Sequence, residues 1–278
     1  METLTFQPPL LGESRAIDEL REFIVCVSLR DEPVLITGPP GTGKSLAAGK
    51  IHAIGPRATA PCCCLDGDGL TAHEFDEACS VSIADGGPGS IYIRNTESLS
   101  TETARAIAAR ICGGGSLPRL LLSSREELDS PRWGVVREAG LLSLITRLHR
   151  AIPPLAERLE DVPVLCRYQV WLHSLPERFG EEWSAFESEE LPALLSKPWR
   201  RNVAELIEVL RDYCEGDPEA PRRFVGELGR ATAQEEFLRR ELEEAFEEVR
   251  ALIASGDEGP GSFILPHVPR ELEDELGG

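Results

Sequence analysis

Lysine is almost absent from this chain. Among 278 residues it stands only at Lys44, Lys50 and Lys197, and lysine plus arginine total 29 against 48 aspartates and glutamates, for a formal net charge of −19. Nucleic-acid backbones are held by clustered cations, so this composition excludes a nucleic-acid-binding face and points to protein or small-molecule partners. The preference for arginine over lysine is a compositional bias and carries no functional reading. Long apolar runs are missing as well: none approaches the roughly 18 residues of a membrane span. The first basic residue is Arg15, so the start lacks the charged region of a secretory leader, and a cytoplasmic, membrane-free protein is expected.

Metal-ligand spacing is also lacking. The eight cysteines form no Cys-x-x-Cys pair, and His52, His73, His149, His173 and His267 are scattered. Cys62, Cys63 and Cys64 are consecutive, which is poor geometry for one tetrahedral site. Lying between Pro61 and Leu65, they read as a short buried strand that uses cysteine as a small hydrophobe, with redox sensing as the alternative.

What is present is a globular composition, 41% hydrophobic, of a length suited to one large or two modest domains. Ile17, Leu20, Phe23, Ile24 and Val27 recur at helical spacing from Ser14, a possible N-cap, to Leu29. Asp31 to Thr37 reads as a buried strand and Ser45 to Ile54 as a helix. Strands follow at Cys62 to Leu65, Ser90 to Ile93 and Arg119 to Ser123, with a helix at Thr101 to Ile111. Strands alternating with helices predict a parallel, doubly wound α/β sheet. From about Asp161 strand signals stop, and Val162 to Leu175, Ser188 to Leu195 and Asn202 to Cys214 read as helices of a second, smaller domain. Residues 235–278 carry 13 acidic against 4 basic residues, a net of −9, yet Phe237, Leu238, Leu242, Phe246, Val249 and Ile253 keep a helical stripe. That pattern predicts an acidic amphipathic helix, Glu235 to Ile253, that either packs against its own lid or serves as a partner surface, with the apolar segment near Phe263 as the other candidate surface.

Gly38-Pro39-Pro40-Gly41-Thr42-Gly43-Lys44-Ser45 fits G-x-x-x-x-G-K-[ST] between a predicted strand and a predicted helix. Glycines there let successive backbone N–H groups turn toward phosphate oxygens at the positive end of the following helix. Lys44 is expected at the β and γ phosphates, and the Ser45 hydroxyl at a Mg²⁺ position. A hydrolysing P-loop also needs an acid at the end of a neighbouring strand to hold the metal shell and position water. The strand Gly89-Ser90-Ile91-Tyr92-Ile93 instead ends in Arg94-Asn95. A cation there removes a Mg²⁺ anchor, and Arg94 becomes a candidate phosphate ligand.

Together these residues resemble the AAA+ domain of the bacterial enhancer-binding proteins that activate sigma-54-dependent transcription. The resemblance runs from Leu10 to Cys214 and includes Leu10-Leu11-Gly12-Glu13-Ser14, the P-loop, and the strand ending at Ile93. It continues through Arg147-Leu148, Pro153-Pro154-Leu155-Ala156-Glu157-Arg158-Leu159-Glu160-Asp161-Val162-Pro163 and Pro198-Trp199-Arg200-Arg201-Asn202-Val203-Ala204-Glu205-Leu206. It implies an αβα AAA+ P-loop NTPase sandwich with a parallel sheet, a helical lid and a tendency to form rings. The expected parts are an N-terminal segment (1–13), the nucleotide-binding domain (14–158), the lid (159–228) and the acidic helix and tail (229–278).

The resemblance also marks departures, which describe a degenerate member. Arg94 and Asn95 stand where the family's Walker B carries Asp-Glu, and the sensor II arginine falls on Ala204. Sensor I falls on Ser124, followed by Arg125. Of the two arginines presented to a neighbouring subunit, one matches Arg147 and the other falls on Leu141. The loop bearing G-A-F-T-G-A is missing from the short stretch Thr71 to Pro88, the hairpin before sensor I shrinks to Cys112 to Ser116, and nothing after the lid reads as a helix-turn-helix. Asp66 occupies the place of the asparagine that pairs with the Walker B glutamate, so carboxylate and amide are exchanged between Asp66 and Asn95. Asp66 and, as a second candidate, Glu97 are then water-polarising groups, with surface or turn roles beside a silent site as the other reading.

The expectation is a protein that binds ATP or ADP with absent or weak hydrolysis, with Mg²⁺ held weakly. It would act as a regulatory or scaffolding module on protein partners, itself or an AAA+ homologue in a ring among them. Two alternatives stay open: a slow ring-forming ATPase that remodels a protein partner using Arg147 in trans, and a transcription regulator acting on an active sigma-54 activator homologue.

Overall fold

The computed structural model describes residues 2–3, 8–84, 89–113, 117–174, 178–189, 191–195 and 198–214. The acidic helix expected from Glu235 to Ile253 and the Phe263 segment lie outside the described residues.

In chain order the elements are β1 (Glu2–Thr3), α1 (Arg15–Ser28), β2 (Val34–Thr37), α2 (Lys44–Ile54), β3 (Cys62–Asp66), α3 (Ala72–Ala84), β4 (Ser90–Arg94), α4 (Thr101–Cys112) and β5 (Arg119–Ser124). After these come α5 (Gly134–Glu138), α6 (Leu141–Ile145), β6 (Leu148–Ala151), α7 (Asp161–His173), α8 (Phe179–Glu189), α9 (Leu191–Leu194) and α10 (Asn202–Cys214). Among the described residues the sheet order is β1-β3-β4-β5-β2-β6. All neighbours pair in parallel except β1, which runs antiparallel to β3. The strand that feeds the P-loop, β2, is interior between β5 and β6, and its four residues are all buried. A strand covered on both faces reads as the continuous apolar run seen in the sequence.

Side chains alternate across the sheet and build two layers. Leu35, Cys63, Ile91, Ile93, Leu120 and Leu122 pack with Phe75, Ala104, Ile107, Trp133 and Leu141 on one face. Val34, Ile36, Cys62, Tyr92 and Leu121 pack with Ile17, Leu20, Ile24, Ala47 and Ile51 on the other. The cysteine triplet forms β3 as expected, with Cys62 and Cys63 buried on opposite faces. Burial pushes the Cys62 thiol up to about 12, which keeps it out of thiolate chemistry.

A third core, around Leu155, Val162, Cys166, Phe186, Trp199, Leu206 and Leu210, belongs to the lid. Leu155 is part of this core, so the lid begins ahead of the 158/159 boundary read from sequence. The helix expected from Ser188 to Leu195 coincides with the end of α8, to Glu189, and with α9, Leu191–Leu194. The sequence reading left Thr71 to Pro88 without an element, yet α3 fills Ala72–Ala84.

The strand register assembles the site. Thr37 pairs with Ser124 and Ala151, and Asp66 pairs with Arg94, so the carboxyl ends of the parallel strands lie in one row. Ligands of open α/β sheets bind outside that edge.

Candidate functional site

The P-loop leaves β2 at Gly38 and enters α2 at Lys44. Gly41 has φ +77°, and a Cβ there would collide with the Arg201 carbonyl at the start of the lid's last helix, so glycine is required by conformation and by space. Gly43, at φ +105°, caps α2 without a side-chain acceptor, which leaves the first helical N–H groups facing outward for an anion. Thr42 is buried, its hydroxyl donating to the Pro39 carbonyl at 2.9 Å. Lys44 Nζ donates to the carbonyls of Gly38 at 2.5 Å and Pro39 at 2.7 Å.

Burial pushes the Lys44 ammonium down to about 8, Glu97 pulls it back up, and Arg125 adds to the lowering. The sign for phosphate binding follows. Below about pH 8 the amine of the empty site is charged, whereas between about 8 and its ordinary 10.5 it is neutral and phosphate must draw a proton onto it. ATP affinity is therefore expected to fall above pH 8, approaching about tenfold per pH unit, with proton uptake on binding. Calorimetry in buffers of different ionisation enthalpy reads both, and an affinity independent of pH across that interval contradicts the assignment.

Ser45 Oγ lies 3.0 Å from the Tyr92 hydroxyl, which lies 2.8 Å from Ser123 Oγ. Tyr92 was missed as a functional residue because on a buried strand it reads as core. Its alternation onto the α2 face is what brings its hydroxyl to the P-loop.

Beyond β4, Asn95 adopts the left-handed conformation (φ 52°, ψ 46°), which asparagine tolerates, and the chain closes into a short 3-10 turn over Thr96–Ser98. Thr96 Oγ1 anchors the turn to the Ser123 carbonyl at 3.1 Å. The turn carries Glu97 inward, its side chain only 3% exposed. Asn95 Nδ2 donates to Asp66 Oδ1 at 2.8 Å, so the exchanged amide and carboxylate are in contact. Arg125 Nε donates to Asn95 Oδ1 at 3.0 Å, and the Arg125 backbone N–H donates to Glu97 Oε1 at 3.3 Å. Arg94 Nη2 lies 3.7 Å from Asp66 Oδ2. The arginine at the strand end therefore leans toward β3, where the sequence reading made it a phosphate ligand. Ser124 is buried, and its hydroxyl accepts the Glu126 N–H at 2.9 Å and donates to the Glu126 carbonyl.

From the lid, Asn202 bridges two segments: its Nδ2 donates to the Pro40 carbonyl at 2.8 Å and its Oδ1 accepts the Leu155 N–H at 2.7 Å. Arg158 Nη2 donates to the Thr42 carbonyl at 3.1 Å. Ala204 lies over Gly41 and brings no charge to the site. Arg147 is exposed in the connection from α6 to β6.

A sequence profile of the sigma-54 interaction domain matches residues 11–155, just over half of the chain. The chain belongs to the sigma-54 interaction domain family. Relatives of this AAA+ family include the DNA-binding transcriptional regulator NtrC of Proteus hauseri, 28% identical over 231 residues, covering 73% of this chain and 48% of that protein. The nitrogen assimilation regulatory protein NtrX of Azorhizobium caulinodans is 26% identical over 247 residues, covering 79% of this chain and 54% of that protein. The crystal structure of NtrX from Brucella abortus in complex with ATP superposes with a TM-score of 0.57 at 21% identity, over 77% of this chain and 55% of that one. The fold is thus that of an AAA+ P-loop NTPase domain with its lid. The chain spans about half the length of the curated relatives it matches. No helix among the described residues is long and apolar enough to cross a membrane.

Proposed function

We propose that this sigma-54 activator-like domain binds ATP or ADP at the P-loop, hydrolyses it poorly or not at all, and acts in transcriptional regulation through protein contacts. The observation that carries the reading is Arg94. Five parallel strands bring their carboxyl ends to the P-loop edge, and the one whose end should supply the metal-holding acid presents a guanidinium paired to Asp66. Ser45 supplies the hydroxyl of a Mg²⁺ position, and the bound ion would offset phosphate charge. Arg94 adds no ligand and repels that ion. Ala204, in place of a lid arginine, brings no charge to the γ-phosphate.

The −19 balance supports protein partners over DNA for these residues. An AAA+ homologue or a second copy of the chain in a ring is the partner class proposed.

Calorimetric titration with ATP and ADP, paired with steady-state phosphate release, tests the reading. Saturable binding of both nucleotides, within about threefold of each other, together with release at buffer background is expected. Absence of binding, or robust release, contradicts it.

The Asp66–Asn95 contact favours a second reading, a slow ATPase in which Asp66 polarises water and Arg147 serves a neighbouring subunit. The Arg94 ion pair opposes it by holding Asp66 as a counter-ion. Asp66→Ala lowers phosphate release in the second reading and leaves it at background in the first.

A further inference from the structure

Glu97 is the unresolved charge of this site. Its side chain is 3% exposed, and its Oε1 accepts the Arg125 N–H at 3.3 Å with Arg125 Nε 3.9 Å away. Its Oε2 is buried and has no hydrogen-bond partner among the described residues. An ionised carboxylate seeks several donors, and an oxygen left bare in the interior is costly. Lys44 directs two of its three donors to the carbonyls of Gly38 and Pro39, although it lies near enough for Glu97 to hold its charge in place.

A polyphosphate on the P-loop sharpens the conflict. Lys44 then turns to phosphate, and a buried carboxylate is left facing a polyanion. A divalent cation between the two relieves both charges. Mg²⁺ binds in this way, through one or two carboxylates plus substrate phosphates while retaining water. The strand end does not provide that carboxylate, because Arg94 occupies it and leans toward Asp66. The left-handed turn at Asn95 carries the chain past Arg94 and delivers Glu97 to the buried side of the site instead.

We infer that Glu97 is the carboxylate that holds the nucleotide's divalent cation, directly or through its water shell, with the Ser45 hydroxyl on the P-loop side. This inference rests on the nucleotide-binding reading, and it makes nucleotide binding metal-dependent without making the site hydrolytic.

The test is an equilibrium titration of the full chain with ATP, once with excess EDTA and once with Mg²⁺, for the wild type and Glu97→Gln. Wild type is expected to bind about tenfold or more tightly when Mg²⁺ is present. Glu97→Gln is expected to bind metal-free ATP more tightly than wild type, because the repulsion is gone, and to lose most of the Mg²⁺ enhancement. Glu97→Asp, which keeps the charge on a shorter arm, recovers part of the enhancement and covers the case in which the glutamine variant folds poorly.

Unchanged Mg²⁺ enhancement in Glu97→Gln overturns the inference, as do aspartate and glutamine variants that behave alike. Weaker metal-free binding in Glu97→Gln also overturns it, since that is the signature of a plain counter-ion to Lys44 and Arg125. A wild-type chain that binds no nucleotide in either condition removes the underlying reading and the inference together, whereas binding without metal dependence removes the inference alone.

Discussion

Lys44→Ala is expected to erase nucleotide-dependent stabilisation. With ATP and Mg²⁺ at about 100 times the dissociation constant, wild type gains about 2.7 kcal/mol, a rise in melting midpoint of roughly 5–10 °C for a domain of this size. The variant should gain less than about 1 °C, the equivalent of a few tenths of a kcal/mol. Lys44 is the cation already bent back over the loop, bonded to the carbonyls of Gly38 and Pro39, and phosphate need only exchange for those acceptors. The substitution removes that charge while Gly43 and the start of α2 keep their geometry. Without nucleotide the variant should melt close to wild type, because a buried, partly desolvated amine contributes little net stability. Differential scanning fluorimetry with and without nucleotide checks both statements. An equal upward shift in the two proteins would place the ligand elsewhere.

A second large effect is expected at Asp161. Its Oδ1 accepts the N–H groups of Glu13 and Ser14, both at 2.7 Å, and its Oδ2 accepts Ser14 Oγ at 2.9 Å and Arg158 Nη1 at 3.1 Å. Arg158 and Asp161 are 2% and 0% exposed, and Arg158 also donates to Pro153 and Thr42 carbonyls. One buried pair therefore joins the entry to α1, the first residue of α7 and the P-loop. Asp161→Ala leaves an uncompensated buried guanidinium and several unpaired donors, a loss of about 3–5 kcal/mol. The double change Arg158→Met with Asp161→Leu removes both charges and should cost less than the single change, since neither ion is then stranded. Urea unfolding of the three proteins measures the difference. A loss under about 1 kcal/mol for Asp161→Ala would show that the pair is not the strut described here.

This pair also explains why parts of the fold were legible in the sequence. The runs around Pro153 to Pro163 and Pro198 to Leu206 stand out because Arg158, Asp161 and Asn202 each satisfy backbone groups of distant segments. The P-loop was legible because strand, glycines and helix are contiguous. What escaped depends on tertiary placement. Among the described residues the buried face of α3 is Phe75, Ala78 and Cys79, one aromatic and two small residues, which carry a weak periodic signal. Its start was nonetheless written as Thr71-Ala72-His73-Glu74: Thr71 Oγ1 accepts the Glu74 N–H, and Glu74 Oε2 accepts the Thr71 N–H. The strand β6, Leu-His-Arg-Ala, at the sheet's edge among the described residues, is only partly buried and has no apolar run to mark it. Glu97 and Tyr92 could be placed only by the register, because nothing local distinguishes a carboxylate turned inward after Asn95 from one in solvent.

The most direct test of the central claim is a single-turnover experiment. The protein is saturated with ATP and Mg²⁺, freed of excess nucleotide, incubated, and its bound nucleotide extracted and separated. The account predicts that the bound fraction remains ATP, because the strand end that should present an acid presents Arg94. Conversion to ADP at a rate that Lys44→Ala abolishes would contradict it.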